Sequence, residues 1–456
     1  MTQNMKQNTS ARRWSSGRTF LLASVGGAIG LGNIWRFPYI MGENGGGAFV
    51  FVYLVAAFLV AVPILSVEVA IGRHGRASPY TAMANVSTQS GRWAAWGLVG
   101  GMGLLTGYLI MSFYSVIAGS TIDYLFLAAR GAFKGLTRES AEALNAGLND
   151  NPLRLGAWHT LFMLASCLIV GRNVRRGIEA AVRLLMPLLF LLLLAVIAYA
   201  LIEGDAAAGL NFMFDFRFEQ LTAASALEAI SHAFFSIGVA MGLMMMYGAF
   251  APREVSLPQT CVGITIADTG VAVLAGIAIF PLVFANGLEP GSGPSLVFLT
   301  LPIAFGGMPG GTIFGSIFFL LLGFAALTSA IALMEAAVTL VQERLQLGRW
   351  AATLSVGVTL WGLGWLTVLS FGEGAEWNVI AGKNPFELID YLTATIMMPL
   401  GGALMALFAG WRMNRALLLG ELGWQPGALF FVWLWLLRVV APAAILIIMY
   451  NALFGG

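Results

Sequence analysis

Asp268 is the residue of this 456-residue chain whose chemistry most needs an explanation. It lies in an otherwise uncharged apolar run, 257–286. An ionised carboxylate at the centre of a membrane helix costs roughly 2.5–3.5 kcal/mol, so it calls for a counter-charge or a proton. Two glycine-rich stretches have a similar setting. One reads Gly26-Gly27-Ala28-Ile29-Gly30-Leu31-Gly32-Asn33, the other Ser236-Ile237-Gly238-Val239-Ala240-Met241-Gly242. Glycine costs about 1 kcal/mol relative to alanine inside a helix, so such stretches are weak points where the backbone can unwind. Unwound backbone at membrane depth persists only where protein or a water-filled cavity satisfies its N–H and C=O groups, so a break implies a site. Taken singly, each stretch reads equally as close packing through small residues. Matched interruptions in two halves of a chain are instead the pattern of an inverted repeat with a binding site at the midplane.

Composition sets these residues in a bilayer. The chain is 59% hydrophobic and 10% charged, with mean hydropathy +0.83, whereas soluble domains carry about 25% charged residues. Eleven apolar segments are expected, near 19–41, 48–72, 93–128, 155–171, 179–202, 224–250, 257–286, 312–342, 350–371, 386–411 and 427–454. The glycines of the first segment and the lack of a cleavage pattern argue against a signal peptide. With a cytoplasmic N-terminus, sixteen of the 24 Lys and Arg residues fall inside and six outside, while Arg36 and Arg438 sit within spans. The C-terminus is then outside. A net charge of +2 speaks against a nucleic-acid partner. Cys167 and Cys261 lie in apolar runs, and His74, His159 and His232 form no ligand-spaced cluster, so neither a disulfide framework nor a zinc site is indicated. No Ser/His/Asp constellation or phosphate-binding glycine loop supports an enzyme, and no charged pore ring supports a channel.

The motifs are specific enough to carry a resemblance. Gly30-Leu31-Gly32-Asn33-Ile34-Trp35-Arg36-Phe37-Pro38-Tyr39, followed by Glu43-Asn44-Gly45-Gly46-Gly47-Ala48-Phe49, closely resembles the signature of the neurotransmitter:sodium symporters, in particular the eleven-helix bacterial amino-acid branch. Phe113-Tyr114-Ser115, Phe234-Phe235-Ser236, Ala325-Ala326-Leu327-Thr328-Ser329 and Asp390-Tyr391-Leu392 extend the likeness over nearly the whole chain. The resemblance implies an all-α membrane protein of eleven transmembrane helices. Its core is a five-plus-five inverted repeat with helices 1 and 6 unwound at mid-membrane. The expected divisions are a cytoplasmic segment 1–18, repeats 19–202 and 203–413, and an eleventh helix with the C-terminus, 414–456.

By the same resemblance, two sodium ions are bound. The first meets the Ala28 carbonyl, Asn33, Ser236 and Asp268, together with the substrate carboxylate. The second meets backbone oxygens of Gly26, Ile29 and Ala325 and the hydroxyls of Thr328 and Ser329. Oxygen donors suit a hard cation. Interhelical hydrogen bonding is the plainer reading of the two hydroxyls taken alone. Asp268 and Ala272 replace the asparagine and serine of chloride-dependent members, so Asp268 is expected to supply the fixed negative charge and chloride is not expected as a cofactor. Tyr53 retains a chloride-site residue, and His232 stands where glutamine is frequent, either as a pH-sensitive group or as a core histidine.

Gly30 replaces the aspartate that pairs with amines in monoamine carriers, which points to an amino acid. Its carboxylate would meet the first sodium, the N–H groups of Leu31 and Gly32 and the Tyr114 hydroxyl. Its side chain would face Ile110, Phe235, Val239, Met241, Ser329 and Leu333, with room left by Gly238. Such an apolar lining favours neutral hydrophobic side chains, each buried CH₂ contributing about 0.8 kcal/mol. Arg36 and Asp390 match an outer ion-pair gate, with Tyr114 and Phe235 as an aromatic lid. Arg12 or Arg13, Trp14 and Glu343 resemble an inner latch, and Gly177 and Pro187 enclose a fifth-helix motif linked to cytoplasmic opening. The expected protein is thus a sodium-coupled importer of neutral L-amino acids in a bacterial inner membrane, as a monomer or weak dimer. A non-transporting sensor of the same fold, or a carrier for another small zwitterion, is the alternative.

Overall fold

The computed structural model describes residues 13–290, 295–372, 374–380 and 382–454. Apart from one isolated bridge, Ile380 with Lys383, the regular structure among these residues is helical. Among the described residues, nine helices are long and apolar enough to cross a membrane: Gly47–Gly75, Ala94–Ala129, Pro152–Gly171, Val174–Glu203, Leu257–Ala285, Gly311–Leu345, Arg349–Phe371, Pro385–Arg412 and Ala428–Phe454. A tenth span results if Gly17–Ala28 and Gly32–Glu43, bent by 51° at their junction, are taken together.

The sixth apolar segment is not one long rod. It is split into Ala223–Ile237 and a seven-residue piece, Leu243–Ala249, neither long enough to span alone. Between them Gly238, Ala240 and Gly242 take φ of 73°, 63° and 75°. These are left-handed values that glycine adopts freely and alanine only at a cost. The upper piece starts cleanly, because the Thr222 hydroxyl accepts from the Ser225 N–H at 3.0 Å, an N-cap bond.

Several connecting helices fall outside the expected eleven. Pro79–Gln89, Arg138–Asn149, Ala206–Phe214 and Arg415–Leu422 are short and lie between the long elements. Their sequences are too polar or too short to register as membrane segments.

The bundle is organised around its interrupted elements. Gly17–Ala28 packs against the fifth, seventh and eighth segments and the lower piece of the sixth. The third segment runs along the eighth in the most extensive helix pairing of the molecule. Glycines set how closely it approaches the sixth: a Cβ on Gly107 would come within 2.6 Å of the Met241 carbonyl, and one on Gly103 within 3.1 Å of the Ala240 carbonyl. Backbone thus meets backbone where the helix is open, which only small residues allow.

Candidate functional site

Each break answers its freed backbone groups with side chains from elsewhere. In the first, Ile29 is extended at φ −67°, ψ 112° and ends the helix. The Gly30 N–H donates to Asn33 Oδ1 at 3.0 Å, and the Leu31 N–H donates to the Tyr114 hydroxyl at 3.1 Å. In the sixth, the Ala240 N–H donates to Glu68 Oε1 at 2.8 Å. Buried peptide groups need partners, so these bonds are what permit the backbone to stay open.

Asn33, Ser236 and Asp268 converge. The Asn33 amide donates to Asp268 Oδ1 at 2.7 Å, to the Asp268 carbonyl at 3.0 Å and to Ser236 Oγ at 3.0 Å. Ser236 Oγ–H donates to Asp268 Oδ2 at 2.8 Å, and the Tyr53 hydroxyl lies 3.3 Å from Ser236 Oγ. Asp268 is completely buried, and among the described residues it has no cationic partner within ion-pair distance. A buried carboxyl group with three neutral hydrogen-bonding neighbours calls for either a counter-charge or a proton. Ala272 is buried one turn further along the same helix.

The second oxygen cluster joins the first break to the eighth segment. Ser329 Oγ–H donates to the Ile29 carbonyl at 3.0 Å, and Thr328 Oγ1–H donates to the Ala325 carbonyl at 3.0 Å. A Cβ on Gly26 would lie 3.6 Å from Thr328 Cβ, so these elements are in contact.

A pocket of about 40 Å³ lies between the breaks. It is lined by Ala28, Leu31, Gly32, Ile110, Tyr114, Phe235, Ser236, Gly238, Met241, Ser329 and Leu333, joined by Gly27, Gly30 and Leu243, which sequence reading had not placed in the lining. Val239 is fully buried and does not line it, because the chain turns at Gly238 and carries the next side chain away. Gly30 is confined: a Cβ there would sit 2.6 Å from Ser329 Oγ and 2.8 Å from the Tyr114 hydroxyl.

Above the pocket is a vestibule of about 400 Å³. Tyr114 and Phe235 line both spaces and partition them. Arg36 and Asp390 both face the vestibule, but no direct ion pair joins them among the described residues. Instead the Arg36 guanidinium lies 4.4 Å over the Phe235 ring, a cation–π contact that holds the lid. His232 is buried among Phe37, Tyr53 and Phe235, and among the described residues neither ring nitrogen has a hydrogen-bond partner.

Of the residues expected to form an inner latch, Trp14 and Glu343 have separate partners. Arg12 lies outside the described residues. Trp14 is inserted, with Nε1–H donating to the Tyr247 carbonyl at 3.2 Å and its ring 5.1 Å from that of Tyr247. Glu343, however, accepts from Ser78 N–H at 2.8 Å, Ser78 Oγ–H at 2.5 Å and Thr81 Oγ1–H at 3.0 Å, at the start of helix Pro79–Gln89. Its carboxylate is saturated by local donors and makes no bond to Arg13. The N-terminal lead-in is tied to the fifth segment instead. Ser15 Oγ–H donates to Glu179 Oε1 at 2.5 Å, Arg183 pairs with Glu179 at 2.6 Å, and Arg175 Nε–H donates to the Arg13 carbonyl at 2.9 Å. Gly177 sits in that same turn, where a Cβ would run into the Ile169 carbonyl, and Pro187 lies ten residues on, inside Ala180–Glu203. Nearby, Arg76 donates to the Ala249 and Ala251 carbonyls at 3.1 and 2.6 Å. Burial and the charges of Arg13 and Arg253 bring Arg76 down to about 10, still cationic at neutral pH.

Glu68 was not foreseen as a site residue. It is fully buried in the second segment, and its role depends on contact with Ala240, 172 residues away. The insertion cost that singles out Asp268 applies equally to this acid, so the signal was present in the sequence.

Helices broken at a shared pocket, with neutral oxygens and two buried acids, Glu68 and Asp268, around the breaks, define a membrane carrier for a small solute. The chain belongs to the Sodium:neurotransmitter symporter family, whose family model matches residues 11–134 and 143–454. It is 34% identical over 442 residues to an uncharacterized sodium-dependent transporter of Bacillus subtilis, YhdH, covering 96% of this chain and 97% of that one. An uncharacterized sodium-dependent transporter of Haemophilus influenzae is 31% identical over the full length of both. Among solved structures, MhsT in complex with L-phenylalanine aligns with a TM-score of 0.89 and 39% identity, covering 97% of this chain and 99% of that one.

Proposed function

We propose that this protein is a sodium-coupled, chloride-independent symporter that imports neutral hydrophobic L-amino acids by alternating access. The observation that carries the reading is the pocket between the two breaks, with a lining that is apolar save for Tyr114, Ser236, Ser329 and open backbone. MhsT, the aligned relative, was solved with L-phenylalanine, a ligand of this class.

In this reading eleven segments span the bacterial inner membrane, with the N-terminus cytoplasmic and segments one and six interrupted at mid-membrane. The divisions 1–18, 19–202, 203–413 and 414–456 are the N-terminal segment, two inverted repeats and the last helix. One sodium ion is held by the Ala28 carbonyl, Asn33, Ser236, Asp268 and the substrate carboxylate; a second by Gly26, Ile29, Ala325, Thr328 and Ser329. The substrate carboxylate takes over the Tyr114 hydroxyl and the N–H groups of Leu31 and Gly32. Each sodium charge moving through 100 mV releases about 2.3 kcal/mol, and filling both sites biases the rocking equilibrium toward the outward or occluded form.

Reconstituted vesicles test this. An inward sodium gradient is expected to drive concentrative uptake of labelled phenylalanine or leucine, with glycine a poor competitor. Replacing external chloride with gluconate is expected to leave the rate unchanged. Uptake without sodium, or uptake abolished by gluconate, contradicts the proposal.

A further inference from the structure

Between the lead-in to the third segment and the last turn of the tenth lies a cleft of about 480 Å³. Its lining includes Arg92, Trp93, Trp96 and Arg412, and no acid. Specific bonds hold its walls together. The Asn414 N–H donates to Ser90 Oγ at 3.0 Å, Ser87 Oγ–H donates to the Trp93 carbonyl at 2.8 Å, and Trp96 packs on Phe408 with centroids 5.0 Å apart. Arg92 makes only a long contact, 3.4 Å from Nε to the Arg412 carbonyl. Alongside, Arg438 donates to the Gly410 carbonyl at 2.6 Å and lies 4.7 Å over the Trp411 ring.

Two guanidinium groups, those of Arg92 and Arg412, therefore line the cleft, and Arg438 lies on the neighbouring helix. Among the described residues, Arg92, Arg412 and Arg438 have no carboxylate within 4.0 Å. Arg92 and Arg412 are solvent-exposed, whereas Arg438 is half-buried. The tryptophans are conspicuously open. Trp93 is 84% exposed and Trp411 57%. Exposed indole rings at helix ends suit the headgroup level of a bilayer, and uncompensated arginines between cytoplasmic helix ends suit phosphate. The charge bias of the sequence assigns this end of both segments to the cytoplasm.

We propose that this cleft binds the headgroup of an anionic phospholipid of the cytoplasmic leaflet. Arg92 and Arg412 take the phosphate, and Trp93 and Trp96 lie against the glycerol and upper acyl chains. The site rests on the reading of segments three, ten and eleven as membrane spans, and not on the substrate or on transport. Its test therefore fails or succeeds separately from the uptake assay.

The purified full chain in detergent is mixed with phosphatidylglycerol or phosphatidylcholine of identical acyl chains, and retained lipid is counted by native mass spectrometry. The wild type is expected to retain phosphatidylglycerol preferentially. R92Q/R412Q is expected to lose roughly 25-fold of that preference, about fivefold per arginine, while R92K/R412K keeps most of it. Should the double variant fail to fold, R92Q alone, at an exposed position, carries the same test with a roughly fivefold loss. Millimolar inorganic phosphate is expected not to displace the lipid. Equal retention of both lipids by the wild type, an undiminished preference in R92Q/R412Q or R92Q, or displacement by inorganic phosphate would overturn the proposal.

Discussion

A single methyl group decides whether the pocket can exist. Because a Cβ on Gly30 would sit 2.6 Å from Ser329 Oγ and 2.8 Å from the Tyr114 hydroxyl, Gly30→Ala must displace the two side chains that frame the first break. Overpacking typically costs 1–3 kcal/mol, so substrate affinity in a binding assay is expected to fall roughly 5- to 150-fold. Retention of wild-type affinity would show that the pocket is looser than its geometry. Asp268 makes the opposite demand, since its fixed charge is what sodium balances in the proposed function. Breaking a buried ion pair costs about 3–5 kcal/mol, so Asp268→Asn is expected to weaken sodium-dependent uptake roughly 150- to 5,000-fold in gluconate. Partial recovery in chloride would mark the acid as the substitute for an anion. Unchanged sodium affinity would remove Asp268 from the ion site. At this scale residue type singled out Asp268, while its meeting with Asn33 and Ser236 was implied only by the family resemblance. Glu68 was equally legible in principle, yet its partner is a peptide N–H of Ala240, which carries no signal in residue type.

Helix ends, rather than helix lengths, distinguish the elements. The sixth segment is interrupted because Gly238 and Gly242 accept left-handed backbone, and Ala240 is held there between them with its N–H on Glu68. The Gly177 turn keeps the fifth segment in contact with the fourth and, through Glu179, with Ser15. On the cytoplasmic side proposed here, Arg349 at the start of the ninth helix is bound to Glu335 of the eighth and to the Val170 carbonyl of the fourth. Glu335 is 1% exposed, so removing its cation leaves a buried charge unpaired. Arg349→Leu is expected to destabilise by about 3–5 kcal/mol, visible as a lower melting temperature in detergent, while Arg349→Leu/Glu335→Leu recovers much of the loss. An unaltered melting temperature in the single variant would mean the pair is solvated. Helix positions were readable from apolar runs, whereas the connecting helices and the partners of Glu343 were not. In this structure Ser78 and Thr81, close by and preorganised at a helix start, satisfy the Glu343 carboxylate.

For the whole molecule, sodium should act as a brace across the two halves. The proposed sites join segments one and six to seven and eight, so ion binding selects conformations in which these elements touch. A ligand at a hundredfold excess over its Kd stabilises by about 2.7 kcal/mol. Exchanging potassium chloride for sodium chloride is therefore expected to raise the melting temperature by several degrees, with a further rise on adding phenylalanine. Identical melting in the two salts would argue against sodium binding by the folded state. The sequence alone determined the membrane setting, the positions of the apolar segments and the two weak points, because hydropathy and backbone entropy are local properties. Only tertiary structure decided which peptide groups the breaks expose and to whom: Leu31 to Tyr114, Ala240 to Glu68, Ile29 to Ser329. Those bonds join residues 83 to 300 positions apart, and only the packing of distant helices brings such groups within reach of one another.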